Sequence, residues 1–137
     1  MILVTEENKP QENEQPAPAQ ATADEDALAA LIEAEIIKPP THPGPLGTID
    51  HYTVLQLLGS GGMGQALLAE DFNKRVRVVI KVLRPELAAQ EWAVNRFLDR
   101  ARLMRSLKHP NILAVDEVCA RPEGPYFVMP HIMGGNL

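Results

Sequence analysis

The sequence predicts an α+β fold in which a five-stranded antiparallel sheet carries one packed helix and follows a disordered acidic tail. Residues 1–50 contain 10 of the 18 acidic residues, two of the 13 basic residues and 7 of the 12 prolines. Val, Leu, Ile and Phe are concentrated in residues 51–137, so only this segment can build a core. Its predicted order is three strands, one helix and two strands, with short connections that favour antiparallel pairing.

Composition excludes several classes of protein. The single cysteine, Cys119, rules out a disulfide framework and a cysteine-rich zinc site, and it suits a reducing compartment. No run approaches 18 apolar residues, so we expect no membrane segment and a cytoplasmic location. The net charge of −5 argues against nucleic acid as a partner.

The acidic half divides into two predicted segments. Residues 1–23 form a predicted disordered tail, because 5–23 are polar, acidic and rich in Pro, Ala and Gln. Residues 24–48 are expected to form a short helix, over 24–37, followed by a Pro-rich linker. Two interpretations of this helix stay open: a marginal helix that forms only on a partner, or a specific docking helix. Its apolar residues recur near helical spacing: Leu28, Leu31, Ile32, Ile36 and Ile37.

The remaining residues, 49–137, provide the predicted strands and the packed helix. Strands are predicted over 52–58, 75–83, 112–119 and 126–129, whereas 66–70 is ambiguous because Ala, Leu and Glu favour helices. A helix over 91–108 is predicted to bury one face, formed by Val94, Phe97, Leu98, Ala101 and Met104.

A glycine cluster lies between the first two strands, and its run is Gly59-Ser60-Gly61-Gly62-Met63-Gly64. A P-loop needs a Gly-Lys-Ser/Thr ending, which is absent. A dinucleotide fingerprint needs a full helix after the glycines, and the strand at Arg75, 11 positions after Gly64, begins too soon for one. The remaining interpretation is a glycine-rich hairpin that folds over a nucleotide, with Lys81 on the following strand.

These features resemble protein kinases of the serine/threonine type, especially bacterial receptor-like ones. The resemblance extends over residues 52–137 and implies that 49–137 form the N-terminal lobe of a truncated kinase domain. Six fragments occur in the family's order: Leu58-Gly59-Ser60-Gly61-Gly62-Met63-Gly64, Leu68-Ala69-Glu70-Asp71, Lys81-Val82-Leu83-Arg84-Pro85-Glu86-Leu87, Arg96-Phe97-Leu98, His109-Pro110-Asn111-Ile112 and Met133-Gly134-Gly135-Asn136-Leu137.

The resemblance also implies roles for individual residues. Lys81 would bind the α- and β-phosphates of ATP, and Met129 would be the gatekeeper at the back of the adenine slot. The hinge would comprise Pro130, His131 and Ile132, with a carbonyl of Pro130 and the N–H of Ile132 reading adenine. Backbone N–H groups of residues 60–64 would cover the phosphates, and Leu58, Ala66 and Val79 would form the slot's roof. The ATP-binding set is Leu58, Gly59, Ser60, Gly61, Gly62, Met63, Gly64, Gln65, Ala66, Val79 and Lys81.

The sequence departs from the family's pattern at three places. The roof has Ala66 where Val is usual and Val79 where Ala is usual, a swap that conserves volume. In the helix, Arg100 occupies the position of the glutamate that pairs with the strand lysine, and repulsion should turn it away from Lys81. The catalytic-loop HRD and the metal-binding DFG motifs are absent, so no catalytic residue or metal ligand is assigned.

Three functions are therefore considered. The first is the ATP-binding lobe of a serine/threonine kinase, which phosphorylates proteins when joined to a C-terminal lobe that supplies the substrate surface and Mg²⁺ ligands. In this view the 137 residues alone are inactive. The second is a non-catalytic, pseudokinase-like nucleotide-binding module. The third is an interaction protein without nucleotide, in which the tail and residues 24–37 are the working parts.

Overall fold

The computed structural model describes residues 18–61, 64–107 and 114–131. The described strands form one antiparallel sheet in the order β1-β2-β3-β4-β6-β5, which confirms the predicted α+β class. The helices are α1 (Pro18–Glu33), α2 (Pro85–Ala88) and α3 (Glu91–Ser106). The strands are β1 (Gly47–Ile49), β2 (Tyr52–Ser60), β3 (Gly64–Asp71), β4 (Val76–Leu83), β5 (Glu117–Cys119) and β6 (Tyr126–Pro130).

Within the described residues the sheet has six strands, and the predicted number of five was wrong. The additional strand, β1, has three residues and pairs along β2, with Gly47 opposite Val54; it is too short to show an alternating pattern. The ambiguous segment is strand β3, because it is paired on both sides, and tertiary pairing outweighs its helix propensity. The strand predicted over 112–119 is shorter than expected: β5 begins at Glu117, and residues 112 and 113 lie outside the described part.

Helix α1 is displaced from its predicted position. It begins at Pro18, inside the segment predicted to be disordered, because proline is well suited to the first helical position and alanines follow it. It ends at Glu33 and not just before Pro39. Glu35 has a left-handed conformation with φ of 66°, and the Ile36 N–H donates to the Leu31 carbonyl at 2.9 Å. This is the hydrogen bond of a Schellman stop, and it turns the chain back onto the sheet.

One face of the sheet, which we call the outer face, carries Val78, Ile80 and Val82 of β4. The end of α1 and the following turn pack on it, with Leu31 and Ile37 fully buried. The prediction that this helix forms only on a partner is therefore wrong, because its apolar residues lie against the chain's own sheet. The cluster also includes Ile36, Ile49, Tyr52, Val54, Leu67, Ala69, Tyr126 and Val128.

The opposite face, which we call the cavity face, carries Val79, Lys81 and Leu83, since side chains alternate along a strand. Helix α3 packs here, and the ring of Phe97 lies 5.3 Å from that of Phe127 on β6. Ala93, Phe97, Leu98 and Ala101 are its buried residues. The spacings of three and four predicted the last three of them, whereas Ala93 was not predicted, and Val94 and Met104, which were, are only partly buried. The sheet is thus covered by different chain segments on its two faces.

Candidate functional site

A cavity of about 440 Å³ lies on the cavity face, between the glycine turn, the sheet and α3. Its volume is within the range of small-molecule sites, about 300–1,000 Å³. Four apolar side chains form its walls, Phe97, Met104, Phe127 and Met129, and Val82, whose side chain belongs to the outer face, also borders it. Two glycines and two cationic residues complete the lining, Gly61, Gly64, Lys81 and Arg100.

The glycine turn connects β2 to β3. Its base is closed by the Gly61 N–H, which donates to the Gly64 carbonyl at 2.8 Å. A Cβ atom at Gly64 would lie 2.3 Å from the Val82 carbonyl oxygen, so the fold itself requires glycine there. At Gly59 a Cβ would meet nothing within 4 Å, and at Gly61 only the Gly64 oxygen at 3.9 Å. The space beside these two glycines is thus free for a ligand.

Lys81 lies in the middle of β4, where its neighbours across the strands are Ala66 and Phe127. Its side chain lines the same cavity as Gly61 and Gly64. The structure therefore brings together the glycine turn and the strand lysine, the two features from which the nucleotide interpretation was built. Gly62 and Met63, which were predicted to belong to the same turn, lie outside the described residues.

The predicted roof residues lie beside the cavity lining. Ala66 faces the same side as Lys81, and Val79 precedes that lysine by two residues, so alternation places both on the cavity face. Leu58 lies at the register shift between Leu57 and Gly59 in β2 and is 44% exposed. Ser60, also exposed, is the Cα partner of Gln65.

Gln65 has its side chain on the outer face of the sheet. It alternates with the residues on the outer face, is 7% exposed and lies opposite Val82. Because its side chain lies on that face, only main-chain atoms of Gln65 are available for the ATP-binding role predicted for this residue. The signal was available in the sequence, since counting by two from Leu67 places Gln65 on the core side once β3 is taken as a strand.

Arg100 lines the cavity together with Lys81, contrary to the expectation that repulsion turns it away. It follows Phe97 by three residues on α3, and the contact of Phe97 with Phe127 fixes that part of the helix on β6. Within residues 18–61, 64–107 and 114–131, no carboxylate lines this cavity. The ion pair between His51 and Asp71 lies outside it. The cavity therefore presents positive charge without a counter-charge from the described chain.

Sequence reasoning assigned no role to Arg84, although this residue fixes the glycine turn. Its Nη2 donates to the Gly61 carbonyl at 2.7 Å, across 23 residues of sequence. The half-buried guanidinium thus links the end of β4 to the turn that borders the cavity. A side chain that bonds a distant backbone carbonyl leaves no spacing pattern; the only signal was its place directly after the strand of Lys81.

The predicted gatekeeper and hinge follow β6. Met129 lines the cavity, and Pro130 is the last residue of the strand and the Cα partner of Val78. His131 comes next, and Ile132 lies outside the described residues. The fragment over 109–112 is likewise outside the described part, as are residues 133–137.

The described residues offer few ligands for a divalent metal ion. In the described ranges, no three His, Cys, Asp or Glu side chains form a group able to hold a metal ion. The cavity lining, with two cationic side chains and several apolar ones, does not fit Mg²⁺, which binds carboxylates. Neither α1, α3 nor α2 has the length and hydropathy of a membrane-spanning helix.

Three comparisons with known proteins bear on this geometry. The family model described as protein tyrosine and serine/threonine kinase matches residues 52–137. The serine/threonine-protein kinase PknD of Chlamydia trachomatis is 36% identical over 89 residues, which is 65% of this chain and 10% of that protein. PknD of Chlamydia abortus is 34% identical over the same length.

A solved structure has the same fold. The kinase domain of Mycobacterium tuberculosis PknI is 27% identical, with a TM-score of 0.53 over 68% of this chain and 37% of that one. The chain thus spans about a tenth of the PknD sequences and about 37% of the PknI chain. Sheet, packed helix, glycine turn and strand lysine occur together in the region of these matches, and the chain belongs to the protein kinase family, in which it corresponds to the N-terminal lobe of bacterial serine/threonine kinases.

Proposed function

We propose that this lobe binds ATP in the cavity between the glycine turn, β4 and α3. The observation that supports the proposal is that Lys81, Gly61 and Gly64 line one cavity of suitable size. Backbone N–H groups of the turn and the Lys81 ammonium would contact the phosphates. The apolar wall that includes Phe127 and Met129 would accommodate the adenine end, with Pro130 and Ile132 as the hinge.

In a protein that also has a C-terminal lobe, the bound ATP would donate its γ-phosphate to serine or threonine of a protein substrate. That step requires an aspartate beside the substrate hydroxyl and Mg²⁺ ligands. Both would come from the other lobe, as would most of the surface for the substrate. This chain's contribution is to bind and orient the nucleotide.

A second candidate is non-catalytic nucleotide binding, as in a pseudokinase. One observation favours it: Arg100 lies in the cavity where the family places the glutamate that positions the strand lysine. A small lobe with this change can keep a nucleotide without supporting transfer. The two candidates share ATP binding and differ in whether a complete kinase domain that carries Arg100 phosphorylates protein.

ATP binding is tested by thermal unfolding of the full chain with increasing ATP. A ligand that binds only the folded state at 100 times its Kd stabilises it by about 2.7 kcal/mol, which raises Tm by on the order of 10 °C. We expect this rise for the natural chain and its loss in Lys81→Ala. The matched control is Lys38→Ala, which removes an exposed lysine beside β1. An equal rise in all three proteins, or none in any of them, would refute ATP binding through Lys81.

A further inference from the structure

Two cationic side chains that line one cavity attract an anion more strongly than a single lysine does. Lys81 and Arg100 both line the cavity, and no carboxylate from the described residues lies there with them. Like charges that line one cavity repel each other, although solvent reduces the repulsion between exposed groups. A bound polyanion would remove this repulsion and gain an attraction from both groups.

The position of Arg100 relative to Lys81 is determined by packing. Phe97, one turn before Arg100 on α3, packs on Phe127 with ring centroids 5.3 Å apart. Phe127 is in turn the strand neighbour of Lys81. The two cationic side chains therefore start from elements that are held together by an aromatic contact, and one lines the cavity from the sheet and the other from the helix.

The chemistry of the two groups is complementary toward phosphate. An ammonium acts as a point charge, whereas a guanidinium offers a planar pair of N–H donors that matches two phosphate oxygens. A divalent cation normally neutralises part of a nucleotide's triphosphate, but the cavity lining offers such a cation no carboxylate. Arg100 can supply that second positive charge from the protein.

We infer that the cavity binds the triphosphate in its metal-free form, with Arg100 as a second phosphate-binding residue in addition to Lys81. This inference rests on the proposed ATP binding. Because a complexed Mg²⁺ reduces the negative charge of the triphosphate and competes with Arg100 for its oxygens, free ATP binds more tightly than its magnesium complex.

The test is calorimetric titration of the full chain with ATP, once with EDTA and once with excess MgCl₂. We expect the natural chain to bind about tenfold more tightly in EDTA, the effect of about one charge-assisted hydrogen bond. Arg100→Gln should lose about tenfold in EDTA and little in MgCl₂, so that its preference for free ATP disappears. Arg100→Lys should keep part of that preference, and Arg96→Gln, on the same exposed helix surface one turn earlier, should behave like the natural chain.

Three outcomes would overturn the inference. Tighter binding in MgCl₂ than in EDTA by the natural chain would show that the metal complex is the ligand. Equal affinities of the natural chain and Arg100→Gln in EDTA would show that Arg100 does not contact phosphate. Absence of ATP binding in both buffers, for a chain that still unfolds cooperatively in urea, would refute the proposed function itself and with it this inference.

Discussion

The outer face of the sheet is closed by the chain's own N-terminal residues, whereas the cavity face leaves cations beside an open space. On the outer face, Leu31 and Ile37 are fully buried against β4. On the cavity face, Lys81 and Arg100 are exposed and line about 440 Å³ of cavity. One sheet therefore separates residues that stabilise the fold from residues available to a ligand, and the stabilising layer includes residues that precede the family match at 52.

Hydrogen bonds to the backbone, in addition to apolar contacts, hold the N-terminal segment on the outer face. Lys38 and Thr48 exchange N–H to carbonyl bonds of 2.8 and 3.0 Å beside β1. Arg121, in the turn between β5 and β6, donates to the Ile36 carbonyl at 3.1 Å and lies 5.0 Å from the centre of the Tyr126 ring. These contacts fix the position of the N-terminal segment relative to the sheet.

The strongest test of the comparison removes apolar volume from the outer face. Leu31→Ala and Ile37→Ala should each lower the free energy of unfolding by about 2–5 kcal/mol, because a fully buried aliphatic side chain leaves a cavity. Urea unfolding of the full chain measures the change, with the exposed Glu33→Ala as a control within 0.5 kcal/mol or so of the natural chain. A shift as small as that of the control would mean that residues 31–37 do not belong to the folded lobe.

Two glycines of the same turn provide the next test. Gly64→Ala should lower the free energy of unfolding by about 1–3 kcal/mol, because its Cβ would lie 2.3 Å from the Val82 carbonyl oxygen and the strands must move apart. Gly61→Ala should leave stability within about 0.5 kcal/mol, since its Cβ meets only an atom at 3.9 Å. Urea unfolding compares the two stabilities.

ATP titration of the same two variants sharpens the comparison of stabilising and binding residues. Gly61→Ala should weaken ATP several-fold, because the added methyl group occupies cavity space meant for phosphate. If Gly61→Ala destabilised the chain as much as Gly64→Ala, the space beside Gly61 would be a requirement of the fold and not of a ligand.

The sequence predicted best the elements whose pattern repeats. The buried face of α3 follows from spacings of three and four, and β4 follows from its alternation. The association of Lys81 with the glycine turn came from the position of the lysine on the strand after the glycines, and the structure places them on one cavity. Elements with a repeating pattern, and sites marked by a motif, could thus be predicted from the sequence alone.

Features that depend on tertiary partners were not predictable in this way. The position of α1 depends on the left-handed conformation of Glu35 and on the packing of Leu31 against the sheet, and a local sequence pattern shows neither of them. Arg84 bonds a carbonyl 23 residues away, and β1 exists only as a partner of β2. Such contacts are made by the assembled fold, so a single sequence contains little trace of them.

A smaller effect on stability is expected at Arg121, which we call the clamp because it holds the N-terminal segment on the outer face. Arg121→Met should lower the free energy of unfolding by about 1–2 kcal/mol, because it removes the bond to the Ile36 carbonyl and the cation from the Tyr126 ring while keeping an apolar stem. Arg121→Lys should recover part of this loss through its charge. ATP affinity, measured by titration, should be unchanged in both variants, since the clamp lies on the outer face. A loss of affinity equal to that of Lys81→Ala would break the separation between the two faces.

The smallest effect concerns the roof on the cavity face, where Ala66 and Val79 have exchanged the sizes usual in the family. Ala66→Val alone should weaken ATP by about 1 kcal/mol through crowding, whereas Ala66→Val with Val79→Ala should restore the affinity, because volume-conserving swaps cost less than one-sided ones. Both positions face the same side on neighbouring strands, so their effects should be non-additive. Calorimetric titration of the natural chain, the single and the double variant gives the coupling, with urea unfolding to separate stability from binding. Equal affinities in all three proteins would show that ATP does not rest against this part of the sheet, and the roof would then belong with the stabilising residues.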